Sequence, residues 1–521
     1  MRLLGPRGAA AETGQQRAVD VAVLAIAAAL FVAAFIHAVL VVSIGWTHGI
    51  FDAHPFRQTQ TAVSVYWMLQ GGPLLAYHTP VLGYPWAIPL EFPLYQWLVA
   101  GLVAASGASI EASGRAVGVA FFLASLIPGW IVLGGLGLTP ASRLLCLAML
   151  LASPLYLFWS RTLMIESTAL FLSLSYLAAV ICWRRRRRAA PLVAAAAFGA
   201  LAAMVKVTTF LGFLAAAGLL VGVDAWRARP GLELRRVRPY GLAAVAFALL
   251  PCLACVCWFA FCDALKEQNA FAAVLTSGAL WHWTFGDWSQ RLRAGTWLAI
   301  WQRYPNWFVS WAVLAMAAVA LPFARGRRAM ALSALALGVG VMLVFTNLHA
   351  VHDYYQYANA VFLLAAIGLA LSGLVDAPDW RRVVGLGAFA AAIVFMLRAE
   401  GSWYLAFQAS DPRPHDEFAE HVRAVTAPND VLVIWGARWS PEIPWTAKRR
   451  ALMDNPGYDP HGPEMTRALD ALRSASYEIT ALVFCKGARV DGFLQPRLAL
   501  FPGFRRVASG SNGCDLYAKS G

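Results

Sequence analysis

The stretch Phe51-Asp-Ala-His-Pro-Phe-Arg57 brings a carboxylate (Asp52), an imidazole (His54) and a guanidinium (Arg57) together in one short segment. A carboxylate there can take the proton from an attacking hydroxyl or amine. The Arg57 fork suits two oxygens of a phosphate, and His54 offers a second donor or shapes the loop. Asp52 also fits a turn or helix-capping role, the less favoured of its two readings, and Arg57 fits an arginine snorkelling from an interfacial helix. Further along, Glu91 stands in Leu90-Glu-Phe-Pro93, Glu166 follows Arg161, and Lys206 separates two short apolar segments. Glu166 suits acceptor binding, metal ligation or support of a base, with a hydrated helix cap as its other reading. Lys206 reads as a phosphate cation or as an interfacial anchor. The segment His349-Ala-Val-His-Asp-Tyr-Tyr355 sets two imidazoles at i, i+3 beside Asp353. That spacing can contribute to a divalent-ion site but lacks a clear third ligand, so a metal is allowed and not required. His352 and Tyr355 are preferred as phosphate or sugar contacts, against an interfacial aromatic belt. No P-loop, dinucleotide-binding fingerprint or Asp-x-Asp pair occurs.

These residues sit in a chain of 521 residues that is 60% hydrophobic and 13% charged, with a mean hydropathy of +0.59. Soluble domains carry about a quarter charged residues, so an ordinary cytosolic enzyme is excluded. The apolar residues come in long blocks, which predicts a polytopic α-helical membrane protein. Hydropathy places spans near 21–46, 114–135, 141–160, 164–183, 191–207, 209–224, 240–262, 307–323, 330–347, 358–375 and 383–400, about eleven in all. The first is read as a retained anchor. The pair around Lys206 is read as a tight hairpin.

With the N-terminus cytoplasmic, the inside loops hold roughly twice as many Lys and Arg as the outside loops. The run Arg184–Arg188 and the arginines near 227–238, 325–328 and 381–382 all fall inside. The net charge of +14 therefore reads as topology rather than as a nucleic-acid surface. The first loop, 47–114, faces out and carries a short helix over 56–69. The segment 90–106 is expected to be juxtamembrane or re-entrant. A Trp-rich loop, 263–306, is expected to lie on the membrane. The tail, 402–521, mixes amphipathic helices with the strands DVLVIWG, YEITALVFC and CDLYAK, and predicts a small extracytoplasmic α/β domain beside a membrane domain over 1–401. Cys485 and Cys514 fall at the ends of two of its strands. A disulfide and two free thiols are equal alternatives for them.

With no cytoplasmic domain to bind a nucleotide, chemistry on the outer face needs a substrate already activated in the membrane. Here HPFRQTQTA (His54–Ala62), EFPLYQWLVA (Glu91–Ala100), SRTLMIE (Ser160–Glu166), the Lys206 hairpin and HDYYQY (His352–Tyr357), in that order, resemble the GT-C glycosyltransferases. The chain is most similar to the bacterial part of glycosyltransferase family 39, related to protein O-mannosyltransferases and aminoarabinose transferases. The resemblance spans about residues 15–400 and leaves the tail uncovered. It implies inverting transfer of a sugar from a polyprenyl-phosphate carrier to an extracytoplasmic hydroxyl or amine of a protein, lipid or glycan, in the bacterial plasma membrane. It places Asp52 as general base. Arg57, His54, Lys206, His352 and Tyr355 would then hold the donor phosphate or sugar. Relatives often carry Lys-Pro-Pro where this chain reads Glu91-Phe-Pro93, so a cationic donor contact is missing. Glu91 and Glu166 become candidates for acceptor or supporting carboxylates. The rival classes are a transporter or flippase of lipid-linked glycans, and a non-enzymatic membrane assembly or binding protein. The scarcity of polar residues in mid-span disfavours the transporter.

Overall fold

The computed structural model describes residues 6–227, 234–303, 308–402, 404–453 and 459–519. Every apolar block named above is mostly helical in its described residues. Among these, seven helices are long and apolar enough to cross a membrane, or eight if one bent pair counts as a single span. That is fewer than the eleven expected, for two reasons. The blocks near 307–323 and 330–347 form only short helices, including Trp311–Ala320 and Arg328–Val344. The limbs on either side of Lys206 follow one another without a loop and count as one 39-residue element, α9 (Ala189–Arg227), broken at Lys206.

That fused element is nonetheless a hairpin. Its neighbour α8 (Glu166–Arg186) begins at Glu166, which pairs with Lys206, and ends near Arg184, which pairs with Asp224 at 2.7 Å. The chain thus leaves the end of α8, reaches its start at Lys206, and returns to its end by Asp224. Lys206 makes the reversal with an extended backbone, φ −160° and ψ 90°. Tyr176, midway along α8, touches both limbs, through Gly199 and Phe210.

Proline shapes the other break that matters. The helices α6 (Pro140–Ala152) and α7 (Pro154–Ser160) are bent by 61° around Ser153, which is extended. A proline has no N–H for the helical ladder and forces its predecessor out of the helical region. The bend leaves α7 wholly buried and delivers Trp159 and Arg161 to one end of the bundle. At the opposite end, Asp20 pairs with Arg382, and Asp376 pairs with Arg327, each within 2.7 Å. The basic loops expected on one side of the membrane therefore gather at one end, and the polar residues of the first loop at the other.

In that loop, α2 (Pro55–Leu69) starts where Pro55 predicts, and α3 (Leu94–Ser106) has 13 residues, too few to span. The Trp-rich loop forms short helices with Trp281, Trp283 and Trp288 exposed. Beyond the last long helix lies a five-stranded sheet of β1 (Val431–Trp435), β2 (Arg450–Met453), β3 (Ile479–Cys485), β4 (Phe504–Ser509) and β5 (Cys514–Lys519), in the order β2-β1-β3-β5-β4. β1 runs parallel to both β2 and β3, while β5 is antiparallel to β3 and β4. Cys485 and Cys514 face each other in register and form a disulfide.

The sheet is not free of the first loop. The β2 edge is continued by the loop: Ala451 N–H donates to the Pro80 carbonyl at 2.9 Å, and Gly83 N–H to the Ala451 carbonyl at 3.0 Å. Val81, Leu82, Trp86 and Ile88 share a core with the buried faces of β1, β2 and β3. An otherwise open sheet edge is covered in this way, and the loop that carries Glu91 is anchored on the C-terminal unit.

Candidate active site

Asp52 precedes α2, whose first turn Pro55 sets. His54 stands just before it in the left-handed region, φ 45° and ψ 54°, a conformation rare for a residue with a side chain. Asp52 does not cap α2. Its Oδ1 accepts from Ala53 N at 2.9 Å and from Gln58 Nε2 at 2.8 Å, and its Oδ2 meets Arg161 Nη1 at 3.3 Å. Both side chains of the Asp52–Arg161 pair are almost fully buried. Gln58 also donates to the Ala53 carbonyl and accepts from Leu163 N–H, so it locks the Asp52 loop to the segment after α7. Arg161 additionally holds the Gly45 carbonyl. Arg115 donates to the carbonyls of Trp46, His48 and Gly49, all within 3.0 Å. The approach to Asp52 is thus fixed by two buried guanidinium groups. Asp52 lines a cavity of about 290 Å³ together with His54, Trp159, Asp353, Tyr404 and Phe407, among others.

His54 Nε2 lies 2.7 Å from Asp353 Oδ1, and its ring packs edge-on to Tyr354 at 5.0 Å. Tyr354 stacks on Tyr355, and Lys206 Nζ sits 4.4 Å over the Tyr355 ring and 5.4 Å from that of Tyr354. Lys206 is held by both oxygens of Glu166, which is buried rather than a hydrated cap. Arg57 donates to Gln60 Oε1 at 2.8 Å and to Glu91 Oε2 at 3.0 Å. Burial opposes the Arg57 charge, but Glu91, Tyr354 and Tyr355 outweigh it and hold its pKa above the ordinary value. Glu91 is fixed in turn. Gln96 donates to Oε1, the Tyr77 hydroxyl clamps the backbone at Leu90 and Glu91, and Phe92 N–H donates to the Met204 carbonyl beside the α9 reversal. That carbonyl lies where the extended Lys206 breaks the helical ladder.

The structure therefore brings Asp52, His54, Arg57, Glu91, Glu166, Lys206, His352 and Tyr355 to one end of the bundle. They form two linked groups: Asp52 and His54 at the cavity, and two largely buried cation–carboxylate pairs near Tyr354 and Tyr355. His352 joins them through its ring, 5.3 Å from His54, and its pKa is pushed down to about 4, first by burial and then by His54. It is neutral near pH 7, so it offers a hydrogen bond and no charge. His349 does not join the site, since Nδ1 meets the Phe345 carbonyl and Nε2 meets Asn359 in the interior. Among the described residues no three His, Cys, Asp or Glu side chains come together as metal ligands. Sequence reasoning missed Arg161, Gln58 and Asp353 as partners, although each lies in or beside one of the motifs quoted above.

No family model and no curated protein matches the chain. Solved structures do. ArnT from Cupriavidus metallidurans, bound to undecaprenyl phosphate, superimposes with a TM-score of 0.59 at 15% identity, over 96% of this chain and 98% of that one. The oligosaccharyltransferase AglB from Archaeoglobus fulgidus, in complex with an inhibitory peptide and a dolichol-phosphate, gives 0.54 at 12% identity, over 94% of this chain and 74% of that one. The arabinofuranosyltransferase AftD from Mycobacteria gives 0.50 at 15% identity, over 93% and 40%. All three are GT-C glycosyltransferases, and the chain has their fold, with multiple membrane-spanning helices and a small C-terminal sheet unit.

Proposed function

We propose that this protein transfers a glycosyl group from a polyprenyl-phosphate carrier to an acceptor hydroxyl or amine, with inversion at the anomeric carbon. The fold shared with ArnT and AglB, whose structures hold undecaprenyl phosphate and a dolichol-phosphate, supports the donor class. The observation that carries the reading is the Asp52 carboxylate on the wall of a cavity it shares with His54, whose ring packs on Tyr354, with the Lys206 cation on the far side of that tyrosine. Asp52 takes the acceptor proton as the acceptor oxygen or nitrogen forms its bond to the anomeric carbon. The bond from that carbon to the carrier phosphate breaks, and the phosphate leaves with the electron pair. A carboxylate has about four lone-pair directions, so the contacts from Ala53, Gln58 and Arg161 orient Asp52 and leave room for one more proton.

Arg57 uses two nitrogens on Gln60 and Glu91, and a guanidinium has five N–H donors, so it can also reach phosphate oxygens. Lys206, neutral His352 and the Tyr355 hydroxyl complete the donor contacts. Glu91 and Glu166 keep both cations placed while the site is empty of phosphate, and lie where acceptor or sugar hydroxyls would pass. The N-terminus is cytoplasmic in this reading, which puts the site and the tail, 402–521, on the outer face of the bacterial plasma membrane. The purified chain should retain undecaprenyl phosphate in native mass spectrometry, and Arg57→Gln should weaken that binding at least about tenfold, one charge-assisted contact being worth more than 1.4 kcal/mol. Absence of carrier binding by the folded wild type refutes the donor assignment. Comparison of glycans and glycolipids between wild-type and deletion strains then identifies the product.

A further inference from the structure

The catalytic reading leaves unused a half-buried polar cluster on the C-terminal unit. It sits at the carboxyl ends of β1 and β3, where the order β2-β1-β3-β5-β4 sends the chain from β1 to β2 on one side and from β3 to β4 and β5 on the other. In sheets of this kind, ligands bind in the crevice beyond the strand ends at such a point. The loop after β1 is tightly folded. Gly436 has φ 80°, a Cβ there would collide with the Cys485 carbonyl, and Arg438 is left-handed at φ 53°. Non-glycine residues in that region are strained and cluster at functional edges. The loop turns Trp439 back onto α2, with its ring 4.5 Å from Phe56 and edge-on.

Beside Trp439, Glu442 receives Ser440 Oγ at 2.9 Å on one oxygen and faces His415 Nε2 at 3.0 Å on the other, while Asn512 Nδ2 lies 3.0 Å from His415 Nδ1. The His415 ring packs on Phe51 at 5.7 Å. Phe51 and Phe56 flank the residues that line the Asp52 cavity. Tyr404 and Phe407, which also line it, lead directly into the segment that carries His415. The cluster therefore adjoins the segment that lines that cavity, through the Phe51–His415 and Phe56–Trp439 ring contacts on either side of it.

Resting on the glycosyl-transfer reading, we propose that Trp439, Ser440, Glu442, His415 and Asn512 form the acceptor subsite, and that the acceptor is a hydroxyl-rich carbohydrate. The set alternates hydrogen-bond donors and acceptors around one half-buried indole. Vicinal hydroxyls, which both donate and accept, match such a set, and the C–H face of a sugar ring matches the indole.

The test uses the full chain in detergent, labelled with a fluorophore and applied to an array of microbial surface oligosaccharides at neutral pH. The wild type should bind a defined subset of glycans. Trp439→Ala and Glu442→Gln should each lose at least about tenfold in apparent affinity, while Asp52→Asn still binds. Undecaprenyl phosphate binding, read in parallel, should stay at the wild-type level in all three and certifies their fold. Binding to no glycan, or glycan binding unchanged by both subsite variants, overturns the proposal. Failure of the transferase reading shows separately, as normal turnover by Asp52→Asn. Arg438→Gly, which relieves the loop without touching the polar set, should leave glycan affinity within about twofold, and a tenfold loss there would reassign the effect to loop shape.

Discussion

The pairing of Glu166 with Lys206 makes a quantitative prediction. Their side chains are 1% and 8% exposed, and both carboxylate oxygens are engaged by the ammonium. Removing one member of such a pair strands a buried charge and costs about 3–5 kcal/mol, whereas replacing both by neutral groups of similar shape is close to neutral. Lys206→Met leaves the Glu166 carboxylate without its cation, so the upper part of that range applies. Glu166→Gln leaves Lys206 over the Tyr355 and Tyr354 rings, and cation–π attraction worth about 0.5–2 kcal/mol offsets part of the loss. The expected order is therefore Lys206→Met worst, Glu166→Gln intermediate and the double variant mildest of the three, so the coupling energy is larger than the Lys206→Met loss, about 4 kcal/mol or more. Equilibrium unfolding of all four proteins in mixed detergent micelles measures it. Additive effects, or a larger loss for Glu166→Gln than for Lys206→Met, would refute the electrostatic reasoning and assign Lys206 to backbone geometry alone.

Three further outcomes are expected. Arg161→Met should lower stability by about 3 kcal/mol or more, because it unpairs buried Asp52 and the Gly45 carbonyl together; a loss under about 1 kcal/mol in the same unfolding assay would contradict this. His352, with its pKa at about 4 in the folded state, is neutral there, while the unfolded chain takes up a proton below about 6.5. Its contribution is whole above pH 6.5 and is lost as pH falls through 4, on the order of 3 kcal/mol. His352→Gln should flatten that segment of the stability–pH curve, and an unchanged slope would count against the burial argument. Breaking the Cys485–Cys514 disulfide opens a link across 29 residues, a loss of about 3–4 kcal/mol on the chain-entropy estimate. Cys485→Ser/Cys514→Ser should therefore make the tail markedly more sensitive to limited proteolysis, and equal sensitivity would show that the sheet core alone holds it.

Local signals in the chain were enough to place the elements. Apolar blocks mark the helices, Pro55 marks the start of α2, and the two limbs flanking Lys206 mark a reversal. The span count was overestimated because hydropathy cannot see where a helix stops short, as near 311–323 and 328–344. Proximity of Asp52, Arg57, Glu91, Glu166 and Lys206 was foreseeable only as a common side of the membrane. What escaped the sequence is pairing across distance. Arg161 meets Asp52 from 109 residues away, and Asp353 meets His54 from 299. Nothing in local periodicity encodes such contacts, because the α7 bend and the start of the helix Gln356–Val375 create them only once the bundle has packed. The docking of the first loop onto the β2 edge was hidden for the same reason. Neither Pro80–Gly83 nor Arg450–Met453 looks unusual alone.

Asp52→Asn is the most direct test of the proposed chemistry. The amide keeps the shape and its oxygen can still accept from Gln58, but it cannot take the acceptor proton. Carrier release from a reconstituted, folded variant should fall by at least about 100-fold, with undecaprenyl phosphate binding retained. Turnover near that of the wild type would contradict the assignment of Asp52 as the base.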